Sequence, residues 1–104
     1  MGNWRRVGDE AALAGAESAG VVVEGRRLAL FRVGSDVCAL DDVCSHEFSL
    51  LSEGEVWNGE VSCPKHGSRF SIRTGAVRGL PATLPVRAYP AKLEGGGIYV
   101  ELDD

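Results

Sequence analysis

Two short segments, each with one cysteine and one histidine, constrain this chain more than any other feature. The first is Cys44-Ser45-His46, and the second, after 16 intervening residues, is Cys63-Pro64-Lys65-His66. Thiolates and imidazoles at such close separations can converge on one centre when the two segments face each other. The chain has only two histidines, and both lie in this pattern. These four side chains are therefore the candidate ligands of a metal centre.

The residues between the two segments predict a hairpin that would bring them together. Two short strand-like runs, residues 55–57 and 60–62, flank the dipeptide Asn58-Gly59. This dipeptide favours a type I′ turn because both central positions of that turn need a positive φ. Folding of the hairpin is expected to place the two segments side by side.

The order of the ligands along the chain helps to choose between zinc and an iron–sulfur cluster. In most zinc fingers one segment supplies both cysteines and a following helix supplies both histidines. Here each segment supplies one of each, and Pro64 argues against a helix at the second pair. The order matches the C-x-H…C-x-x-H pattern of Rieske [2Fe-2S] centres, in which one iron takes two cysteines and the other takes two histidines. The expected ligands are Cys44 and Cys63 for one iron and His46 and His66 for the other. Structural zinc stays the alternative.

Length and composition predict one small domain. The chain has 104 residues, of which 44% are hydrophobic and 25% are charged, and this suffices for one modest core. The longest apolar runs have the length of strands, and the first residues lack the apolar centre of a signal peptide. We therefore expect no membrane association and a cytoplasmic location.

Charge and cysteine count argue against two further classes. The net charge of −4 disfavours nucleic-acid binding, which needs a basic face. Of the three cysteines, two are candidate ligands, so an internal disulfide would cost the site a ligand. The third, Cys38, is expected to be a small buried hydrophobe in a strand.

The pattern of apolar residues predicts an all-β chain, because no 3.6-residue period is sustained. A first strand is expected at residues 4–7, then a helical turn at 10–13 with Asp9 as its N-cap, then a loop as far as Gly20. The other predicted strands are residues 21–24, 27–33, 37–40, 55–57, 60–62, 70–72, 86–93 and 98–102. The first three of these read as an antiparallel meander. Pro90 predicts that its strand bends or lies at a sheet edge.

Further segments of the chain match a known family. They span about residues 21–102 and are Asp42-Val43-Cys44-Ser45-His46, Leu51-Ser52-Glu53-Gly54, Cys63-Pro64-Lys65-His66-Gly67-Ser68-Arg69-Phe70, Arg73-Thr74-Gly75, Leu80-Pro81-Ala82 and Ala91-Lys92-Leu93-Glu94-Gly95. Through them the chain resembles the small Rieske ferredoxins that serve multicomponent non-haem iron oxygenases. The resemblance implies an antiparallel β-sandwich base domain, residues 1–42 and 71–104, with an inserted cluster-binding subdomain at about 43–70. It also implies that residues 80–82 pack over the cluster as a third loop.

Departures from the respiratory branch of the family refine this expectation. The respiratory proteins tie their ligand loops with a disulfide, and the corresponding positions here are Ser49 and Lys65. Their ring hydroxyl near a ligand cysteine falls at Phe70, which has none. Loss of that donor should lower the reduction potential, because hydrogen bonds to cluster sulfurs raise it. Ser68 could donate to a bridging sulfide or cap its own turn.

The resemblance implies a carrier of one electron that catalyses nothing itself. Its expected partners are a flavin-dependent reductase and a terminal oxygenase, which approach through the histidine edge of one [2Fe-2S] cluster per chain. Three charged residues beside the ligands could frame the docking surface: Glu47, Lys65 and Arg69. Two other functions remain open: the small Rieske-like subunit of NADH-dependent nitrite reductase, and a ferredoxin allied to iron–sulfur assembly.

Overall fold

The computed structural model describes residues 3–13, 18–44, 49–64, 67–80 and 84–102. Regular structure in these ranges consists of β-strands and two 3₁₀ turns, Glu10–Leu13 and Leu51–Glu53. The strands are β1 (Asn3–Asp9), β2 (Ser18–Val23), β3 (Arg26–Val33), β4 (Asp36–Asp41), β5 (Val56–Trp57), β6 (Glu60–Ser62), β7 (Arg69–Ser71), β8 (Val77–Gly79), β9 (Ala88–Tyr89), β10 (Ala91–Glu94) and β11 (Gly97–Leu102). No α-helix occurs within the described ranges, and the predicted all-β fold is confirmed.

The strands form three antiparallel sheets. Sheet 1 has the order β1-β11-β10, sheet 2 has the order β2-β3-β4-β9, and sheet 3 has the order β5-β6-β7-β8. Consecutive strands β2, β3 and β4 pair with each other in sequence order, which is the predicted meander. Sheet 3 contains the strands on both sides of the second ligand segment.

Sheet 2 lies between the other two sheets, so both faces of β3 are buried. Leu28 and Leu30 point to one side, and Ala29 and Phe31 point to the other, as alternation along a strand requires. The base core, between sheets 1 and 2, comprises Leu13, Leu28, Leu30, Val37, Ala39, Tyr89, Ile98, Val100 and Leu102. The site core, between sheets 2 and 3, comprises Ala29, Phe31, Leu40, Cys44, Leu51, Val61, Cys63, Phe70, Ile72 and Val86.

The predicted hairpin between the ligand segments is present as β5 and β6. Val56 pairs with Val61 and Trp57 with Glu60, which leaves Asn58-Gly59 as the two-residue turn. The φ angles of these two residues are 54° and 77°. Both are positive, as the type I′ turn requires.

The predicted loop as far as Gly20 is wrong in part, because β2 already begins at Ser18. Ser18 pairs with Phe31 and Gly20 with Ala29 across to β3. The Ser18 hydroxyl also donates to the Ser52 carbonyl at 2.9 Å. Pairing with a buried neighbour strand outweighs the low strand propensity of small residues here.

The last part of the chain also differs from the prediction at two strands. Strand β8 was not predicted; its Val77 pairs with Phe70 of β7. The single strand predicted for residues 86–93 is divided at Pro90 into β9, which pairs with β4, and β10, which pairs with β11. Proline has no N–H to continue a ladder, so the chain passes from sheet 2 to sheet 1 at this residue. The predicted bend or edge position is confirmed, since β9 is the edge of sheet 2.

Sheet 3 extends beyond residue 70 as far as Gly79. The division into a base domain, residues 1–42 and 71–104, and a subdomain at about 43–70 stays a prediction. In the part of the chain that the structure describes, no helix has the length and apolar character needed to cross a membrane.

Candidate metal centre

Backbone pairing joins the described residues on either side of the first ligand segment. Val43 and Leu50 form an isolated antiparallel bridge that flanks the first loop, residues 44–49. Inside this bridge the Cys44 N–H donates to the Ser49 carbonyl at 2.9 Å. The cysteine is thus the first residue of the loop, and its backbone is tied to the last.

The described residues around the second ligand segment are joined in the same way. Ser62 of β6 pairs with Arg69 of β7 and flanks the second loop, residues 63–68. The Cys63 N–H donates to the Ser68 carbonyl at 2.7 Å. Both loops therefore present a cysteine at the same position relative to an antiparallel closure.

The two cysteines are buried in the same apolar cluster. Cys44 and Cys63 are 4% and 1% exposed, and both belong to the site core. None of the three cysteines of the chain forms a disulfide. Burial of two thiolates among apolar groups is costly unless a cation offsets their charge, and thiolates are favoured ligands of iron and zinc. The cysteine pair fits a metal centre that is bound from the core side.

The two predicted histidine ligands, His46 and His66, lie outside the described residues. The described ranges contain no group of three or more histidine, cysteine, aspartate or glutamate residues that could hold a metal. The full set of four ligands therefore stays a prediction. Glu47 and Lys65, two of the predicted docking residues, also lie outside the described ranges.

Backbone contacts attach the first loop to sheet 2. The Asp42 N–H donates to the Arg27 carbonyl of β3 at 3.0 Å. The Asp42 carbonyl accepts a hydrogen bond from the Leu51 N–H at 2.6 Å. The chain segments before and after the first loop are thus joined to each other and to the base.

Sequence reasoning missed the side chains that reinforce this attachment. The Asp42 carboxylate accepts hydrogen bonds from the Ser52 N–H at 2.7 Å and from the Ser52 hydroxyl at 3.0 Å. Asp41-Asp42 is a pair of acidic residues, and such pairs are usually solvated. The only signal was that both Asp42 and Ser52 fall in segments that carry the family resemblance.

The neighbouring carboxylate, Asp41, has a different partner. It accepts a hydrogen bond from the Tyr89 hydroxyl at 2.6 Å, and its N–H donates to the Arg87 carbonyl at 2.9 Å. Burial, and then the hydrogen bond to Asp41, raise the pKa of Tyr89. The end of β4 is therefore fixed to β9 and to the residue before β9, just ahead of the first loop.

Close packing supports the second loop. A Cβ atom on Gly54 would lie 1.8 Å from the Ser62 carbonyl oxygen, so only glycine allows the segment after the 3₁₀ turn to lie against β6. The Gly67 N–H donates to the Cys63 carbonyl at 3.0 Å and closes a turn inside the loop. Phe70, fully buried, packs in the site core directly behind it.

The positions that differ from the respiratory branch lie at these loops. Ser49 supplies the carbonyl that closes the first loop. Phe70 contributes an aromatic ring to the site core and has no hydroxyl. Ser68 is fully buried, and the role of its hydroxyl, either toward a cluster sulfide or within the turn, stays a prediction.

The third cysteine lies apart from the ligand loops. Cys38 is in β4, where it is half-buried and packs against the site core. Its predicted place in a strand is confirmed, and its predicted burial is only partial. Burial raises the pKa of the Cys38 thiol, and Arg73 opposes this shift. The raised pKa keeps the group a neutral thiol at neutral pH, as suits a packing residue.

The third loop predicted over the cluster lies largely outside the described residues. Of residues 80–82 only Leu80 is described, and it is 77% exposed. Leu80 follows Gly79, which pairs with Arg69 beside the second loop. An exposed apolar side chain thus emerges at the same end of sheet 3 as Cys63.

Known proteins match the chain over almost its full length. The Rieske [2Fe-2S] domain family matches residues 3–90. The anthranilate 1,2-dioxygenase ferredoxin subunit of Burkholderia cepacia is 37% identical over 102 residues, which are 98% of this chain and 94% of that protein.

Solved structures agree with the sequence matches. The ferredoxin of carbazole 1,9a-dioxygenase from Nocardioides aromaticivorans IC177 has a TM-score of 0.88 and 35% identity, and the match covers 94% of this chain and 96% of that one. A chain in the complex of reduced oxygenase and oxidized ferredoxin in carbazole 1,9a-dioxygenase has a TM-score of 0.88 and 29% identity. The match covers 97% of this chain and 94% of that one. The predicted resemblance is confirmed. The chain belongs to the Rieske [2Fe-2S] domain family and carries one cluster of that type.

Proposed function

We propose that this chain accepts one electron from a flavin-dependent reductase and passes it to a terminal non-haem iron oxygenase. The chain is a Rieske ferredoxin, an electron carrier and not a catalytic subunit. The observation that carries this conclusion is the match, nearly complete in both chains, to ferredoxins of dioxygenase systems. A ferredoxin of this fold forms a complex with the oxygenase in carbazole 1,9a-dioxygenase.

The proposed cluster ligands are Cys44, His46, Cys63 and His66. The bound cluster supplies a one-electron centre that is easier to reduce than an all-cysteine cluster, at about −150 to +300 mV against roughly −400 mV. The two buried cysteines would hold it from the site core, where apolar neighbours exclude water. The two histidines would form the edge that faces a partner.

The potential is expected at the low end of the Rieske range. Hydrogen bonds to cluster sulfurs stabilise the reduced state and raise the potential. Phe70, at the position of the respiratory ring hydroxyl, is fully buried in the site core and has no hydrogen to donate. A midpoint potential well above about +100 mV would contradict this expectation.

Leu80 is the described side chain best placed to contact the oxygenase. It is exposed and lies at the end of sheet 3 that holds the second loop. An apolar side chain that a partner covers favours association roughly in proportion to the apolar area removed from water. Leu80→Ser should slow electron transfer to the oxygenase several-fold and leave the absorption spectrum of the cluster unchanged.

A matched control for Leu80 is Trp57→Ser. Trp57 is 76% exposed, but it pairs with Glu60 at the end of β6 remote from Cys63. The control should transfer electrons at the wild-type rate. Equal slowing by both substitutions would remove Leu80 from the docking surface.

The proposed location is the cytoplasm. Fractionation of the source cells tests this proposal, and recovery of the protein outside the cytoplasm would contradict it.

Spectroscopy of the protein reconstituted with iron and sulfide tests the cluster and its ligand set. Mixed cysteine and histidine ligation should give a coloured protein and, on reduction, an electron paramagnetic resonance signal with a lower average g value than an all-cysteine cluster. Zinc would give a colourless protein without this signal. A colourless, silent preparation would overturn the proposed function, and an all-cysteine signal would overturn His46 and His66 as ligands.

A further inference from the structure

Asp42 carries the only carboxylate that is fully buried within the described residues. Its exposed fraction is 0%, and the other described aspartates and glutamates are exposed or half-buried. Asp42 precedes Cys44 by two residues. A buried charge is costly without partners, so we expect the Asp42 carboxylate to be hydrogen-bonded or ion-paired.

Two side chains and one backbone amide surround the Asp42 carboxylate. One oxygen accepts the Ser52 N–H at 2.7 Å, and the other accepts the Ser52 hydroxyl at 3.0 Å. The guanidinium of Arg27 lies 3.5 Å from the second oxygen. The Arg27 side chain is 44% exposed, so water weakens its pairing with the buried carboxylate.

Strand β2 leaves room for the Asp42 carboxylate and its partners. A Cβ atom on Gly20 of β2 would lie 2.9 Å from the Ser52 hydroxyl and 3.1 Å from a carboxylate oxygen of Asp42. The Ser18 hydroxyl, on the same strand, holds the Ser52 carbonyl. The carboxylate is therefore enclosed by β2, β3 and the segment after the first loop.

We propose that Asp42 is a positioning residue that fixes the first loop and lowers the reduction potential of the bound cluster through its buried negative charge. Arg27 offsets part of this charge. The proposal rests on the proposed function, since it concerns the same cluster. Reduction adds one negative charge to the centre, and a fixed negative charge nearby opposes that addition. Burial makes the effect larger than at the surface, because water and salt screen buried charges less.

Substitution of Asp42 and substitution of Arg27 should shift the midpoint potential in opposite directions. In the holo-protein, Asp42→Asn removes the charge and keeps the shape of the side chain, so the midpoint potential should become more positive. Arg27→Gln removes the offsetting charge, so the potential should become more negative. A tenfold change in the equilibrium constant of reduction corresponds to about 59 mV for one electron, and the Asp42→Asn shift should be several-fold in that constant.

Two control variants separate charge from loop geometry. Asp36→Asn removes an exposed carboxylate that pairs with Arg73 at 3.2 Å, and it should leave the potential unchanged. Ser52→Ala removes one hydrogen bond to Asp42 and keeps the charge, so it should not raise the potential. A rise with Ser52→Ala as large as that with Asp42→Asn would show that loop distortion is the cause and would overturn the role of the charge.

The readouts are the midpoint potential and the electron paramagnetic resonance spectrum of each variant. This proposal would be overturned, and the proposed function left intact, if the wild-type protein gave a normal Rieske signal and the midpoint potentials of Asp42→Asn and Arg27→Gln equalled that of the wild type. Absence of the signal in the wild-type protein would instead overturn the proposed function. If Asp42→Asn does not fold, Arg27→Gln decides alone, because the Arg27 side chain is 44% exposed and its loss should be tolerated.

Discussion

The first and second loops close with the same backbone hydrogen bond but are held by different interactions. Cys44 and Cys63 each donate to the carbonyl of the last loop residue, at 2.9 Å and 2.7 Å. Behind the first loop lies a buried carboxylate with hydrogen-bonding partners. Behind the second lies the apolar packing of sheet 3 around Phe70. The chain thus holds two equivalent proposed ligand positions, one with a polar support and one with an apolar support.

This difference suggests separate tasks for the two supports. Apolar packing is non-directional and scales with buried area, so the second loop depends on shape. A buried charge acts at a distance and depends on its exact partners, so the first loop can influence the redox property of the centre. Substitutions on each side should therefore fail in different ways.

The largest effect is expected from loss of a ligand, and there the two loops should behave alike. Cys44→Ser and His66→Ala should each abolish the cluster, because each removes one of four proposed ligands. Without a disulfide between the loops, the cluster is their main brace, so both loop tips should also become sensitive to protease. Visible absorption and limited proteolysis measure the two effects.

Serine replacement of the remaining cysteine provides the control for ligand loss. Cys38→Ser changes a half-buried thiol outside the loops and should keep the cluster. A Cys44→Ser protein whose tip is as protected as that of the holo-protein would show that the loops are stable alone.

The next effect separates the site core from the base core. Phe70→Ala should lower the free energy of unfolding by about 3–5 kcal/mol, and Leu30→Ala by about 2–5 kcal/mol. Only Phe70→Ala should also speed loss of the cluster, because Phe70 packs with Cys63 and Leu30 belongs to the base core. Urea unfolding and the decay of visible absorption measure these changes. Equal rates of cluster loss would contradict the separate support of the second loop.

The sequence allowed prediction of those features that depend on local chemistry. Asn58-Gly59 specifies its own turn, since both residues adopt the positive φ that the hairpin needs. The four ligand residues are proposed from spacing alone, and the strands of the meander were predicted from their alternation. In each case the information lies within a few neighbouring residues.

Features that depend on distant partners could not be predicted. Strand β8 is three residues long and exists because Val77 pairs with the buried Phe70. The start of β2 depends on β3, which pairs with its small residues Ser18, Ala19 and Gly20. The burial of Asp42 depends on Ser52 and Arg27, which come from other elements. No short window of sequence contains these relations.

A smaller effect is expected where the supports of the two loops meet. Gly54 follows the 3₁₀ turn beside the first loop and contacts Ser62 beside the second. Gly54→Ala should destabilise the fold by about 1–3 kcal/mol, because the new methyl group overlaps the Ser62 carbonyl. Hydrogen exchange should show weaker protection at both loops. The control is Gly8→Ala, where a Cβ atom would meet no neighbour within 4 Å. If Gly54→Ala weakened the protection of one loop alone, the supports of the two loops would be independent.

The smallest effect on stability is expected at Arg69, on the exposed side of the second loop. Its guanidinium lies 3.6 Å from Glu60, with 52% of the side chain exposed. Exposed pairs of this kind contribute about 0–1 kcal/mol, so Arg69→Gln should change the free energy of unfolding by less than about 0.5 kcal/mol.

If Arg69 helps to dock the oxygenase, the same substitution should change the rate of electron transfer and reduce its dependence on salt, because rim charges act mainly on association. Arg73→Gln, a second exposed arginine with a carboxylate partner at 3.2 Å, is the matched control and should leave the rate unchanged. An identical salt dependence in the wild-type protein and Arg69→Gln would remove Arg69 from the docking surface and leave the Arg69–Glu60 pair as part of the solvated surface.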